Sequence, residues 1–115
     1  MKARWIFAAS ILLIAAAPPS DSGRTEDVRC FIALSALSQT ADGETKQAAA
    51  AGTLYFLGRL DGHSPGLDLE AAVTAEAPGM TEAVLGSLLK SCGEKIRSRG
   101  EYLLAVGGAL QKKGK

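Results

Sequence analysis

Strand-forming stretches are what this sequence most conspicuously lacks. No run alternates β-branched or aromatic residues with polar ones, and Ala, Leu, Glu, Lys and Gln dominate, so the expected fold is all-α. Aromatics make up only 5% and the single tryptophan is Trp5. That leaves Phe31, Tyr55, Phe56 and Tyr102 as the only large rings beyond residue 22, enough for one small core. Signatures of bound chemistry are missing too. There is no Cys-x-x-Cys pair, no His-Glu-x-x-His, no Gly-rich phosphate loop and no paired acidic motif at catalytic spacing. No metal, cofactor or catalytic residue is therefore assigned. His63, the sole histidine, sits beside Ser64 in residues 61–66 (DGHSPG). No nucleophile or orienting acid is singled out for it, so it is read as an exposed loop histidine. No segment reads as an internal repeat or as low complexity.

Long apolar runs are also absent. Residues 5–17 (WIFAASILLIAAA) form an uncharged run of 13, short of the roughly 20 residues that a spanning helix needs. Lys2 and Arg4 precede it, and Pro18-Pro19 with the small residues Ser20 and Ser22 follow. A basic start, short apolar middle and small-residue end is the layout of a secretory signal peptide. An uncleaved anchor is the alternative. Two small-x-small triplets offer a cut, Ala15-Ala16-Ala17, which Pro18 would follow, and Ser20-Asp21-Ser22; the second is preferred and places the mature start within a few residues of Gly23. The expected organisation is thus a signal peptide over residues 1–22 and a single small helical domain over 23–115, with an ordered core at 26–111. A chain so exported is periplasmic or secreted, with no stable membrane insertion after the signal is removed.

Nor is there an excess of one charge. From Gly23 onward eleven basic residues face eleven acidic ones, which gives no electrostatic case for nucleic acid or an anionic membrane surface. Basic residues do gather late, at Lys90, Lys95, Arg97, Arg99, Lys112, Lys113 and Lys115. Glu94 and Glu101 interleave with them, as on a solvated helix face.

Two cysteines are present, Cys30 and Cys92. An even count behind an export signal reads as one disulfide, with two free thiols as the alternative. A domain of this size buries only roughly 60–65% of its unfolded surface. The chain-entropy model credits a bridge over such a loop with roughly 4 kcal/mol, comparable with the whole net stability of a small domain.

Periodicity and Gly/Pro punctuation divide the domain into four to five short helices, a small bundle closed by the disulfide. The first is expected over 26–40, capped by Thr25, with Cys30, Leu34 and Leu37 on one face. The second, over 44–60, contains the stretch around which the rest is arranged. Ala48, Ala51, Gly52, Tyr55 and Arg59 share one of its faces, and Leu54, Leu57 and Leu60 lie beside it. Its small residues suit a helix surrounded on most sides and stopped at Asp61-Gly62. Tyr55 and Arg59, on its more polar flank, are the candidate binding residues. Asp68 caps a third helix over 69–77, which Pro78-Gly79 ends. A fourth, over about 81–91, carries Val84, Leu88, Cys92 and Ile96 at intervals of four, with an interruption at Gly93. The last, over 101–111, offers Leu103, Val106 and Leu110, is weakened by Gly107-Gly108, and leaves 112–115 as a frayed tail.

Several of these features together resemble the HdeA/HdeB-type acid-stress chaperones of the bacterial periplasm. They are Cys30 in the first helix, residues 55–62 (YFLGRLDG), the acidic-apolar segment 67–73, Cys92, and a charged helical tail. The resemblance covers about residues 28–110. It implies a non-enzymatic holdase, dimeric near neutral pH, that opens in acid and covers unfolded clients with apolar surface. With every carboxylate protonated, eleven basic residues and His63 would leave strong self-repulsion, which loosens a marginal fold. A second resemblance is to the periplasmic immunity proteins that neutralise type VI secretion effectors, which share a Tyr-x-x-Gly helix in a small disulfide-bonded helical body. That one implies a rigid surface for one partner. Either way the expected partner is a protein or an unfolded client, and a homodimer is compatible with both.

Overall fold

The computed structural model describes residues 21–114, which form four α-helices and no strand. The expected signal peptide lies almost wholly outside the described residues. The helices are α1 (Asp21–Thr40), α2 (Gly43–His63), α3 (Leu69–Glu76) and α4 (Glu82–Lys113), with a 3-10 turn at Ala77–Gly79 between the last two.

α1 begins upstream of the expected start, so Thr25 lies inside the helix instead of capping it. Only Ala41 and Asp42 separate α1 from α2, and the reversal is made by Gly43 in the left-handed region at φ 61°. α2 then continues through Asp61 and Gly62, past the expected stop. Leu60 is buried and His63 is hydrogen-bonded to α1, and these two contacts outweigh one unfavourable glycine between them. The chain turns instead at Gly66, with φ 85°. Asp68 caps α3 as expected, its carboxylate accepting from the Ala71 N–H at 3.0 Å.

The core lies where α1, α2 and the first half of α4 meet. Cys30, Leu34, Phe56 and Cys92 are buried together, with Phe31, Tyr55, Leu88, Leu89 and Ile96 packed around them. Cys30 and Cys92 are bonded as expected, with sulfurs 2.02 Å apart and Cα atoms 5.7 Å apart. α2 buries the stripe Ala49, Gly52, Phe56 and Leu60. This corrects the expected face: Ala48 and Ala51 are exposed, and so is Leu54. Alanines occur on every side of α2 and mark no face, whereas Phe56, a large ring with no polar atom, sets the inward direction. Tyr55 meets it edge-on, with centroids 5.0 Å apart and planes at 82°. α2 is therefore packed on one side, not surrounded. A Cβ at Gly52 would stand 2.8 Å from Ile96 Cδ1 and 2.9 Å from Leu34 Cδ1, so the three helices close most tightly there.

Two helices expected over 81–111 are one. α4 runs for 32 residues, capped by Thr81 Oγ1, which accepts from the Val84 N–H at 3.3 Å. Its length is about 48 Å, against about 30 Å for α1 or α2, at 1.5 Å per residue. Gly93, Gly100, Gly107 and Gly108 do not break it. Glycines in fact recur every seven residues along α4, at 86, 93, 100 and 107, and again at its C-cap, Gly114, which makes a repeat where none was expected. Leu89, Ile96, Leu103 and Leu110 keep the same period, so all four share one face. Only the first half of that face finds a core. Beyond Ile96 the helix overhangs α1 and α2, and the bundle of short helices is in truth a three-helix junction with a long projecting arm.

Candidate functional site

Tyr55 and Arg59, the residues singled out on α2, are neighbours, and Arg59 joins a cluster that the sequence did not announce. Asp27 of α1 is buried, with 1% of its surface exposed. Its Oδ2 accepts from Arg59 Nε at 3.0 Å and from His63 Nε2–H at 2.7 Å. Arg59 and His63 stand one turn apart on α2, so one carboxylate oxygen receives both. His63 Nδ1 is 2.9 Å from Ser64 Oγ. With Nε2 donating to the carboxylate, a neutral imidazole takes the Ser64 hydroxyl proton at Nδ1 as an acceptor. Asp27 Oδ1 is buried with no partner among the described residues, so the carboxylate is held through Oδ2 alone.

Burial pulls the Arg59 guanidinium down, but the hydrogen bond to Asp27, the contact with Tyr55 and the charge of both outweigh it and leave the group above its ordinary value. Arg59 thus stays cationic at any pH where the fold is handled. It also lies over the Tyr55 ring, 6.0 Å from its centroid. His63 is accordingly not the exposed loop residue expected: it belongs to the last turn of α2, half-buried against α1. A signal was present, since Asp27, Cys30 and Leu34 fall at i, i+3 and i+7 on a helix whose cysteine faces inward.

Hydroxyl, imidazole and carboxylate in series are the connectivity of an acyl-transfer relay. Here the carboxylate is shared with a guanidinium, and the clefts described below are not lined by Ser64. The arrangement acts as a latch that fixes the end of α2 on α1.

On the outer side of Arg59 lies an open cleft between α2 and α4, of about 500 Å³, lined by Tyr55, Arg59, Ser91, Glu94, Lys95 and Arg99 among others. Two of its cations are ion-paired: Arg59 with Asp27, and Lys95 with Glu26, with Nζ to Oε1 at 2.6 Å. Arg99 stacks on Tyr102, 4.6 Å from the ring centroid. The cleft thus holds two ion-paired cations and one, Arg99, held among the described residues by an aromatic ring alone. A second open cleft, of about 350 Å³, follows the α1–α3 seam past Val28, Leu67, Ala72 and Glu76. There Arg29 Nε donates to Glu76 Oε2 at 2.8 Å.

Beyond the cleft, the overhang over residues 97–113 presents Leu103, Leu104, Val106, Leu110 and Tyr102, with Leu104 78% exposed. Among the described residues these are the large apolar groups left in water, apart from Leu54. Of these, Leu103, Val106 and Leu110 share one face of the helix, which marks a contact surface more than scattered surface residues would. No helix among the described residues is long and apolar enough to cross a membrane. No protein-family model, curated protein or solved structure matches the chain.

Proposed function

We propose that this chain is a small exported, non-enzymatic helical protein that works by binding other polypeptides through the apolar face of the α4 overhang. The observation that carries the reading is the exposure of Leu103, Val106 and Leu110 on a helix whose upstream half buries the same face. Such a face has apolar area to offer a partner, at roughly 25 cal/mol per Å² removed from water. It is open without any rearrangement, so binding at neutral pH follows. The resemblance to the acid-stress chaperones suggests general clients, and the resemblance to the immunity proteins suggests a single one.

The deciding experiment is protection of an aggregation-prone client at pH 7 and at pH 2–3, with native protein and with L103D/L110D. The native chain is expected to suppress client aggregation and the variant to fail. A native chain that protects no client and captures no partner from the cell envelope at either pH would sink the reading. A gain in protection and in dye binding confined to pH 2–3 would favour the acid-opened holdase over a surface that is always available.

A further inference from the structure

The overhang carries more than apolar area; it carries a register. Along α4 one seven-residue series runs Leu89, Ile96, Leu103, Leu110, and the series three residues later runs Cys92, Arg99, Val106, Lys113. These are the two seam positions of a helix built to pair with another helix. Leu89, Cys92 and Ile96 occupy the seam in the first half and are spent on the core. Leu103, Val106 and Leu110 occupy it in the second half and are exposed. Two seam positions there are basic, Arg99 and Lys113, and Arg99 is steadied by stacking on Tyr102.

We infer that the overhang is the docking strip for an amphipathic partner helix that sets apolar residues against Leu103, Val106 and Leu110 and carboxylates against Arg99 and Lys113; this rests on the binding face proposed above. A second copy is a poor fit. Parallel pairing sets Arg99 against Arg99 and Lys113 against Lys113, and antiparallel pairing sets one of these cations against a leucine with no counter-charge. An anionic bilayer is also a poor fit. An interfacial helix keeps its cations on the polar face, whereas Arg99 and Lys113 stand within the apolar strip. An acidic, apolar-striped helix satisfies both features at once. Gly100 and Gly107 border the strip, and a Cβ at either would meet nothing within 4 Å, so a partner backbone has room to approach closely.

The probes are two synthetic helical peptides with one apolar seam, bearing Glu or Lys at the positions that face Arg99 and Lys113. Fluorescence anisotropy should show the Glu peptide binding roughly tenfold more tightly to the native protein. R99E/K113E should invert that preference while the circular dichroism and melting of the core stay unchanged. Equal affinity for both peptides, lost in L103D/L110D, overturns the acidic partner and leaves the binding face standing. If neither peptide binds, the inference is overturned, and the client assay above then decides separately whether the face itself falls. Preference for phosphatidylglycerol vesicles over either peptide overturns it in favour of a lipid surface. Dimers in sedimentation equilibrium that Leu110→Asp abolishes overturn it in favour of a second copy.

Discussion

Leu34 and Leu103 are the same side chain on helices of one small fold, yet the first is 6% exposed and the second 67%. Both sit on inward-type stripes, and Leu103 continues a face that Ile96 has just buried one heptad earlier. What differs is reach. α1 and α2 end where α4 has more than two turns still to run, so the same pattern is core in one half and surface in the other. Charge separates the halves as well. Residues 23–96 hold six basic and ten acidic side chains, and residues 97–115 hold five basic and one acidic. The balance of the whole chain therefore conceals an acidic body and a basic arm. Burial is decided by the length of neighbouring elements, and a residue's own helix does not settle it.

The sharpest way to break that comparison is to open the closed half. C30A/C92A removes the link between α1 and α4 and should lower stability by about 4 kcal/mol, most of what a small domain has. Thermal melts of the variant should show a lost or strongly lowered transition. Next comes Phe56→Ala, which empties the centre of the core and should cost about 3–5 kcal/mol in urea titration. The matched change in the arm, Leu103→Ala, should stay within about 0.5 kcal/mol of native. If the two leucine-and-phenylalanine deletions cost alike, the arm is part of the cooperative fold and the comparison fails.

A smaller effect tests the latch. Asp27→Ala strips Arg59 and His63 of their shared acceptor and should cost about 1–3 kcal/mol, below what an unpaired buried charge would cost because Arg59 is 44% exposed and rehydrates. Ser64→Ala, which touches only the outer end of the relay, should be near neutral. In NMR spectra the Nε2–H signal of His63 should lose its protection from exchange in Asp27→Ala and keep it in Ser64→Ala.

The parts of this architecture legible in the sequence are those fixed by local chemistry. All-helical content, the Asp68 cap and the Pro78-Gly79 break follow from residue type and neighbours within a turn; the Cys30–Cys92 pairing, across 62 residues, follows from there being just two cysteines to pair. The buried stripe of α2 does not, because Ala48, Ala49, Ala50 and Ala51 present the same methyl on every side, and only packing against α1 chooses Ala49. The latch was obscured by a boundary: ending α2 at residue 60 removes His63 from the helix and hides its spacing from Arg59. The arm was obscured by propensity. Each glycine in α4 argues for a break at that position, yet none is strong enough alone to end a helix of 32 residues.

Those glycines supply the last and smallest test, a pair of identical substitutions expected to differ in sign. Gly52→Ala places a methyl within 3 Å of both Ile96 and Leu34, so both must shift in the tightest part of the core. The overpacking should exceed the gain in helix propensity and leave a net loss of about 1 kcal/mol. Gly107→Ala meets no atom and should stabilise the helix by up to about 1 kcal/mol. That gain belongs to the arm and not to global unfolding, since a helix of some 17 residues without tertiary support frays readily. It should therefore appear as slower amide exchange over residues 100–113 with an unchanged melting temperature. Binding of the Glu-bordered peptide should meanwhile weaken, because the added methyl fills the space a partner backbone would enter. A variant with a more stable arm and equal or tighter peptide binding would show that the glycine border is no part of the docking strip.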